Sequence, residues 1–383
     1  MHYFKALSYA LALASAVLAA PSDTSDANPY IGKTPFANKG YALKLEETIA
    51  YFNEQGDSLN AARTHTIADI PGLISDTLEA QTVTGEKQLL QIAVYNLPDH
   101  NCSAKASAGE LVLADDGLNK YKKYINDIAT ELQTESAQQL SFALVIEPNS
   151  LGNIVTNLDV PKCAGAADAY KEGIAYAIAK LQIPNVALYI DAAHGGWLGW
   201  DDNLGPAAAL FTKVLEGAKK LVPTTTVCGL AINVSNYNQY IAVAHENYTE
   251  FSNSWDKWHY MNSLVPHLEE NGYPAHFIVD QGHSGRSAIR TSWSQWCNIC
   301  NAGFGTHPTT DQAILNNTYV DSIVWVKPGG EPDGTSDTNA MRFNETCQSP
   351  VAHIPAPEAG DWFNNFVINL VTNAEPPLEP TYL

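Results

Sequence analysis

From residue 89 onward, short runs that are apolar on both faces alternate with longer runs whose apolar residues recur every three or four positions. The short runs are LLQIAVYNL (89–97), FALVIEP (142–148), VALYIDA (186–192), CGLAINV (228–234), HFIVDQG (276–282) and DSIVWVKPG (321–329). Between them lie GLNKYKKYINDIATELQ, AADAYKEGIAYAIAKLQ, PAAALFTKVLEGAKKL and WDKWHYMNSLVPHLEENG. Strands buried on both faces belong to a parallel sheet covered by helices, and the helical periodicity supplies that cover. The alternation continues without a break in composition, which predicts one β/α barrel rather than two domains. An open doubly wound sheet fits the same pattern, but no glycine-rich phosphate turn follows the first strand, so a nucleotide site is not expected.

In either architecture the ligand site lies beyond the carboxyl ends of the strands. Polar residues gather there: Asp99, His100 and Asn101; Glu147 and Asn149; Asp191 and His194; Asp280 and His283; Lys327, Glu331 and Asp333. Tyr95, Trp197, Trp200, Trp293 and Trp296 lie beside them. Isolated tryptophans more often fill cores, yet Trp197 and Trp200 sit in the glycine-rich turn HGGWLGW, and flat indole faces suit the apolar faces of sugar rings.

Asp plus Glu (41) exceed Lys plus Arg (21), a net charge of −20 that argues against nucleic acid or an anionic membrane as partner. The 45% hydrophobic content supports a real core. Residues 1–19 combine Lys5, a short apolar run and small residues at Val17 and Ala19, the pattern of a secretion signal cleaved after Ala19. Residues 20–27 read as a short disordered N-terminus and 28–383 as the folded domain. An extracellular location makes disulfides the expected state of the cysteines, with their pairing left open by the residues alone. Cys297 and Cys300 form a CxxC, but no second pair stands at zinc spacing. Sequons begin at Asn101, Asn233, Asn247, Asn316 and Asn344; Cys102, as middle residue and a bridge candidate, argues against a glycan at Asn101.

The ordered segments VYNLPDHNCSAKASAGE, LVIEPNSLGN, LYIDAAHGGWLGW, GLAINVSNYN, FIVDQGHSGR, WCN, GFG and VWVKPGGEPDGTSD resemble the motif set of glycoside hydrolase family 6, of the fungal cellobiohydrolase II type. The resemblance implies a distorted seven-stranded parallel β/α barrel with loops roofing a tunnel or cleft for a β-1,4-glucan chain, without a carbohydrate-binding module. It implies disulfides Cys102–Cys163 and Cys297–Cys347, leaving Cys228 and Cys300 over. It also implies sugar contacts at Tyr95, Asp191, His194, Trp197, Trp200, Trp296, Lys327 and Glu331, with Asp333 as a retained candidate base. Phe36 stands where many relatives carry a tryptophan platform, and the long loop after Lys327 is expected to help form the roof.

The motifs depart from the family at the reaction centre. The general acid of an I-E-P-D-S motif is Asn149 here, and its assisting aspartate in P-D-R-D-C is Asn101. The arginine before the latter is His100, and that of D-Q-G-R-S-G is His283. Inverting hydrolysis needs a carboxylic acid to protonate the leaving oxygen, and an amide holds its protons too tightly to serve. The amides still donate and accept hydrogen bonds with hydroxyls. These features predict a secreted, monomeric glucan-binding pseudoenzyme without a cofactor. Two alternatives remain: an active cellobiohydrolase with a rerouted acid, in which Asp333 and Asp191 serve as base or electrostatic groups and Asp99 or a histidine donates through water, and a metal-binding or redox auxiliary protein using His100, His283 and His194 with Asp99, Asp191 and Asp280 nearby.

Overall fold

The computed structural model describes residues 28–36, 39–55, 74–106 and 108–380. The segments read as a secretion signal and a disordered N-terminus, 1–19 and 20–27, lie outside the described residues. Seven parallel strands follow one another in chain order: β1 (Thr34–Pro35), β2 (Gln88–Val94), β3 (Ser141–Ile146), β4 (Val186–Asp191), β5 (Gly229–Ile232), β6 (Phe277–Asp280) and β7 (Val320–Val324). Hydrogen-bonded pairing runs from β1 to β7 without a ladder between these two edges, so the barrel is a curled, open sheet. Side chains span the seam: Asn28 Nδ2 donates to the Asp321 carbonyl at 2.6 Å, and Gln91 Nε2 to that of Trp325 at 3.1 Å.

Each expected strand is present; β2, β3 and β5 stop before their polar tails, β4 and β6 end on Asp191 and Asp280, and the segment from Asp321 leaves the sheet after Val324. Only β1, two residues long, gave no periodic signal. Side chains on β3 alternate as a two-residue period requires. Phe142, Leu144 and Ile146 pack outward against the helices, while Ala143 and Val145 join Ala187, Tyr189, Ala231 and Ile278 inside the barrel. Small residues on the inner layer leave room for Tyr30 and Tyr189, whose rings lie 6.2 Å apart.

The helix Gly117–Leu132 buries Tyr121, Ile125 and Ala129, one residue per four-residue step, and closes on Leu132. Pro161 opens the helix Pro161–Lys180, where its missing N–H costs nothing. Asp256 caps Lys257–Glu270 by accepting the His259 N–H at 2.7 Å. A second core joins helix Lys39–Glu54 to Asn364–Thr372 through Leu45, Ile49, Phe366 and Leu370. Phe36 is buried in the main core, which corrects its reading as a sugar platform. Two disulfides, Cys102–Cys163 and Cys297–Cys347, tie down loops at the strand ends, and Cys228 and Cys300 are free. Asn233 is buried with its amide bonded to Asp280 and Ser284, so its sequon is not accessible in the folded protein. No helix among the described residues is long and apolar enough to cross a membrane.

Asp321 ties the seam to the barrel interior, because its carboxylate accepts the Tyr189 hydroxyl at 2.7 Å and faces His276 Nδ1 at 3.2 Å. Asp321→Ala strands that hydroxyl in an apolar layer and is expected to lower unfolding stability by about 2–4 kcal/mol in urea titration. Adding Tyr189→Phe removes the stranded group and should recover part of the loss; strictly additive losses would show that the pair does not couple.

Candidate functional site

The turns that follow the strands are built from left-handed backbone. Asp99, Asn101, Glu147, Asn149, Ala193, Asn233 and Ser235 all have φ between 50° and 65°. Asn and Asp tolerate that region better than other residues with a Cβ, so either side chain suits positions 101 and 149. Buried carboxylates then stitch each turn to its neighbour. Glu147, at the end of β3, accepts the N–H groups of Asn96 and Leu97 beyond β2 at 3.0 and 3.3 Å. Asp191, at the end of β4, accepts the Asn149 N–H at 2.7 Å and that of Ala193 at 3.0 Å. Asp280, at the end of β6, accepts from Gly282 and Ser235 at 2.8 and 3.2 Å.

Above these turns opens a cleft of about 770 Å³. Tyr95, Asn101, Asn149, His194, Trp197, Trp200, Trp296, Lys327, Glu331 and Asp333 all line it, so these residues, separated widely in sequence, are brought together. Asp191 is not on the wall: it is 1% exposed and works from behind, through the backbone of Asn149. His100 and His283 are likewise buried off the cleft wall. His283 packs between Tyr237 and Phe366, with both ring nitrogens unpartnered. Asp99 is turned into its own loop, where it accepts the Leu113 N–H at 3.2 Å. No three His, Cys, Asp or Glu side chains converge as a metal site among the described residues, so His100 and His283 are not gathered with the carboxylates named beside them.

The aromatic walls are fixed by polar anchors. Trp197 Nε1 donates to Thr156 Oγ1 at 2.6 Å, and Trp200 Nε1 to the Gly196 carbonyl at 3.1 Å. Trp293, one of the aromatics noted beside the strand-end clusters but not among the sugar contacts that the resemblance implies, lies on the wall, pressed on Gly196 so closely that a Cβ there would meet its ring at 1.8 Å. Asn153, Thr156 and Asn157 were also missed, although they stand four, seven and eight residues after Asn149, the spacing of one helix face.

Asp333 and Glu331 are the carboxylates on the wall. Burial alone would raise the Asp333 carboxyl, but the Lys327 ammonium against it, with Tyr237, outweighs burial and holds it below the usual carboxylate range. Both oxygens are engaged, one by Lys327 and the other by the Tyr237 hydroxyl and the Asn298 N–H at 2.8 Å. His194 is pushed down to about 3 by burial, with Arg290 and Lys257 adding to it, so its imidazole is neutral at ordinary pH. Asn101 and Asn149 line the same cleft. Such a wall offers indole faces and hydrogen-bonding amides to a polyhydroxylated ligand, but Asp333 is held ionised and the neutral imidazole of His194 is far too weak an acid to protonate a leaving oxygen.

Comparison with known proteins agrees with this geometry. Residues 30–374 match the family described as glycosyl hydrolases family 6. The 1,4-beta-D-glucan cellobiohydrolase CEL6B of Podospora anserina is 46% identical over 91% of this chain and 83% of its own length. Exoglucanase 3 of Agaricus bisporus is 45% identical over 92% and 80%. The crystal structure of the family 6 enzyme CcCel6C from Coprinopsis cinerea superposes with a TM-score of 0.90 at 60% identity, covering 93% of this chain and all of the other. Cellobiohydrolase II of Humicola insolens, solved with glucose and cellotetraose, gives 0.85 at 42% identity over 91% and 99%.

Titration of the buried groups sets a pH profile for stability. Burial raises Glu147 from 4.5 to about 8 and Asp191 from 3.8 to about 7, against the opposing pull of their backbone donors. The native state therefore holds protons that the unfolded chain has lost, and this contribution disappears as pH rises through those values. Burial lowers His100 and His283 from 6.5 to about 4, and His194 to about 3; their contribution is complete above 6.5 and lost as pH falls through 4. The two slopes oppose each other below pH 6.5; from 6.5 to 8 the carboxyl slope continues, opposed by the ammonium of Lys257, which burial holds well below its ordinary value, and the two carboxyls outnumber it. Melting temperature should fall across that interval, and Asp191→Asn should flatten the fall. A flat or rising profile in the parent protein would contradict the assignment.

Proposed function

We propose that this chain, which belongs to glycosyl hydrolase family 6, is a secreted glucan-binding protein whose hydrolytic centre has been dismantled. The observation that carries this reading is the pair of carboxamides, Asn101 and Asn149, on a cleft wall otherwise furnished for a sugar chain. The relatives named as cellobiohydrolases, and the related enzyme solved with cellotetraose, support a β-1,4-glucan chain or cello-oligosaccharide as the ligand. Trp197, Trp200 and Trp296 offer ring faces to successive glucose units, while Tyr95, His194, Lys327 and Glu331 supply hydrogen bonds to their hydroxyls. Asp191 contributes by positioning Asn149.

Hydrolysis with inversion needs an acid on one side of the glycosidic bond and a base that activates water on the other. Asn149 takes the place of the acid and Asn101 that of its assisting carboxylate, so the leaving oxygen departs without a proton. Asp333, candidate for the base, is bound to Lys327 and Tyr237 and keeps little basicity. Losing general acid catalysis costs about 10²–10⁴ in rate. A rerouted donor has little to draw on: Asp191 carries a proton near neutral pH but is sealed behind the backbone of Asn149, and Asp99 is held in its own loop.

The test restores the missing groups. Both positions already have a left-handed backbone that Asp accepts, so Asn101→Asp/Asn149→Asp should fold as the parent does. With cellohexaose, the parent should bind and leave the sugar intact while the double variant cleaves it, at least about 10²-fold faster by mass spectrometry of the products. Turnover by the parent at an ordinary rate of about 1–10³ per second would overturn the reading and require another proton donor.

A further inference from the structure

Trp197 and Trp200 are each fixed by a hydrogen bond from the indole Nε1, and Trp293 is not: its Nε1 is buried without a partner among the described residues. Packing alone confines its ring. Besides Gly196, the His194 ring stacks near it, 6.2 Å away and inclined by 26°, and the Tyr248 ring stands perpendicular to it at 5.3 Å. The remaining neighbour is a cation. The guanidinium carbon of Arg290 lies over the Trp293 ring, 5.6 Å from its centre, and over that of Tyr248 at 5.8 Å.

Arg290 is 4% exposed and does not line the cleft. It donates to the side-chain oxygens of Asn236, at 3.0 Å, and Asn238, to the Gln295 carbonyl at 3.0 Å and to the Tyr248 hydroxyl at 3.3 Å. None of these oxygens belongs to a carboxylate, so the charge is buried on neutral acceptors and two aromatic faces. An apolar side chain would fill the same space without the desolvation that a charge incurs. What only the guanidinium supplies is a flat surface held at a fixed angle by several acceptors at once, which a lysine ammonium on its flexible stem does not reproduce. Asn236, Asn238 and Tyr248 belong to the loop after β5, and Trp293 and Gln295 to the loop after β6, so this one side chain ties the two loops beside the cleft.

We infer that Arg290 is a positioning residue for Trp293, setting the angle at which that ring faces the cleft, so that affinity for a glucan depends on a side chain the sugar does not touch. The affinity half of this inference rests on the glucan-binding reading above; the orientation of the ring does not.

The test compares the parent with Arg290→Lys, Trp293→Ala and the double variant, by calorimetric titration with cellohexaose and by near-ultraviolet circular dichroism well below the melting temperature. Asn238→Ala, which removes one acceptor of the fork away from the cleft wall, carries the same comparison should Arg290→Lys fail to fold. Trp293→Ala should weaken binding at least about tenfold, and Arg290→Lys by about three- to tenfold. Adding Arg290→Lys to Trp293→Ala should bring no further loss, because the ring to be positioned is gone. Arg290→Lys should likewise change the tryptophan dichroism of the parent and leave that of Trp293→Ala as it is. Losses that add in the double variant would overturn the inference, since Arg290 would then act apart from Trp293. A lowered melting temperature with the parent's affinity and spectrum would overturn it too, as the mark of a purely structural role. A parent that binds no cellohexaose would instead overturn the glucan-binding reading and the affinity half with it, while the dichroism still decides whether Arg290 orients the ring.

Discussion

The site depends on buried carboxylates that each grip the backbone of a neighbouring turn. Glu147 holds the turn beyond β2, Asp191 the turn beyond β3, and Asp280 the turn beyond β5. A parallel sheet ends each strand with N–H groups that have lost their ladder partners, and in a buried setting these must be satisfied. A carboxylate with several acceptor positions does so for two turns at once. Because the restraint acts between strands, it sets the spacing of side chains that face the cleft from different strands. The position of Asn149 is thus a property of Asp191 as much as of its own segment. Burial keeps two of these carboxyls protonated well above the usual range, which ties the rigidity of the cleft floor to pH.

With that frame intact, the reacting groups are free to differ without disturbing the fold. Asn and Asp are nearly the same size and both accept the left-handed turn, so exchanging one for the other changes the proton chemistry while sparing the backbone. Asp333 and Lys327 neutralise one another in direct contact on the cleft wall, and the histidines at 100 and 283 are buried neutral. The centre therefore has little net charge, and a neutral polysaccharide loses little by displacing its water. Binding requires complementarity to the ground state, whereas catalysis requires groups that act in the transition state.

Tyr95 on the cleft wall stands against His100, with ring centroids 4.3 Å apart. Gly109 is indispensable to this arrangement for a steric reason alone, because a Cβ there would lie 1.9 Å from the imidazole Nε2. A residue that reads as a surface loop glycine in sequence is thereby coupled to the shape of the binding region.

Much of the fold was legible in the chain because burial on both faces of a strand and on one face of a helix leaves a local, periodic signature. The strands from β2 to β7 and the helices between them follow it, and the polar clusters at the strand ends located the cleft. Short elements such as β1 and Gly195–Leu198 left no such trace, since two to four residues cannot display a period. The sequence by itself determined the family, the order of the strands and the amides at 101 and 149. Which polar residues line the cleft came only with the folded arrangement: it turned Asp191, His100 and His283 away from the cleft wall, set Trp293 on it, and paired Lys327 with Asp333. The physical reason is that these outcomes depend on distances between turns on different strands, and no local pattern encodes such distances.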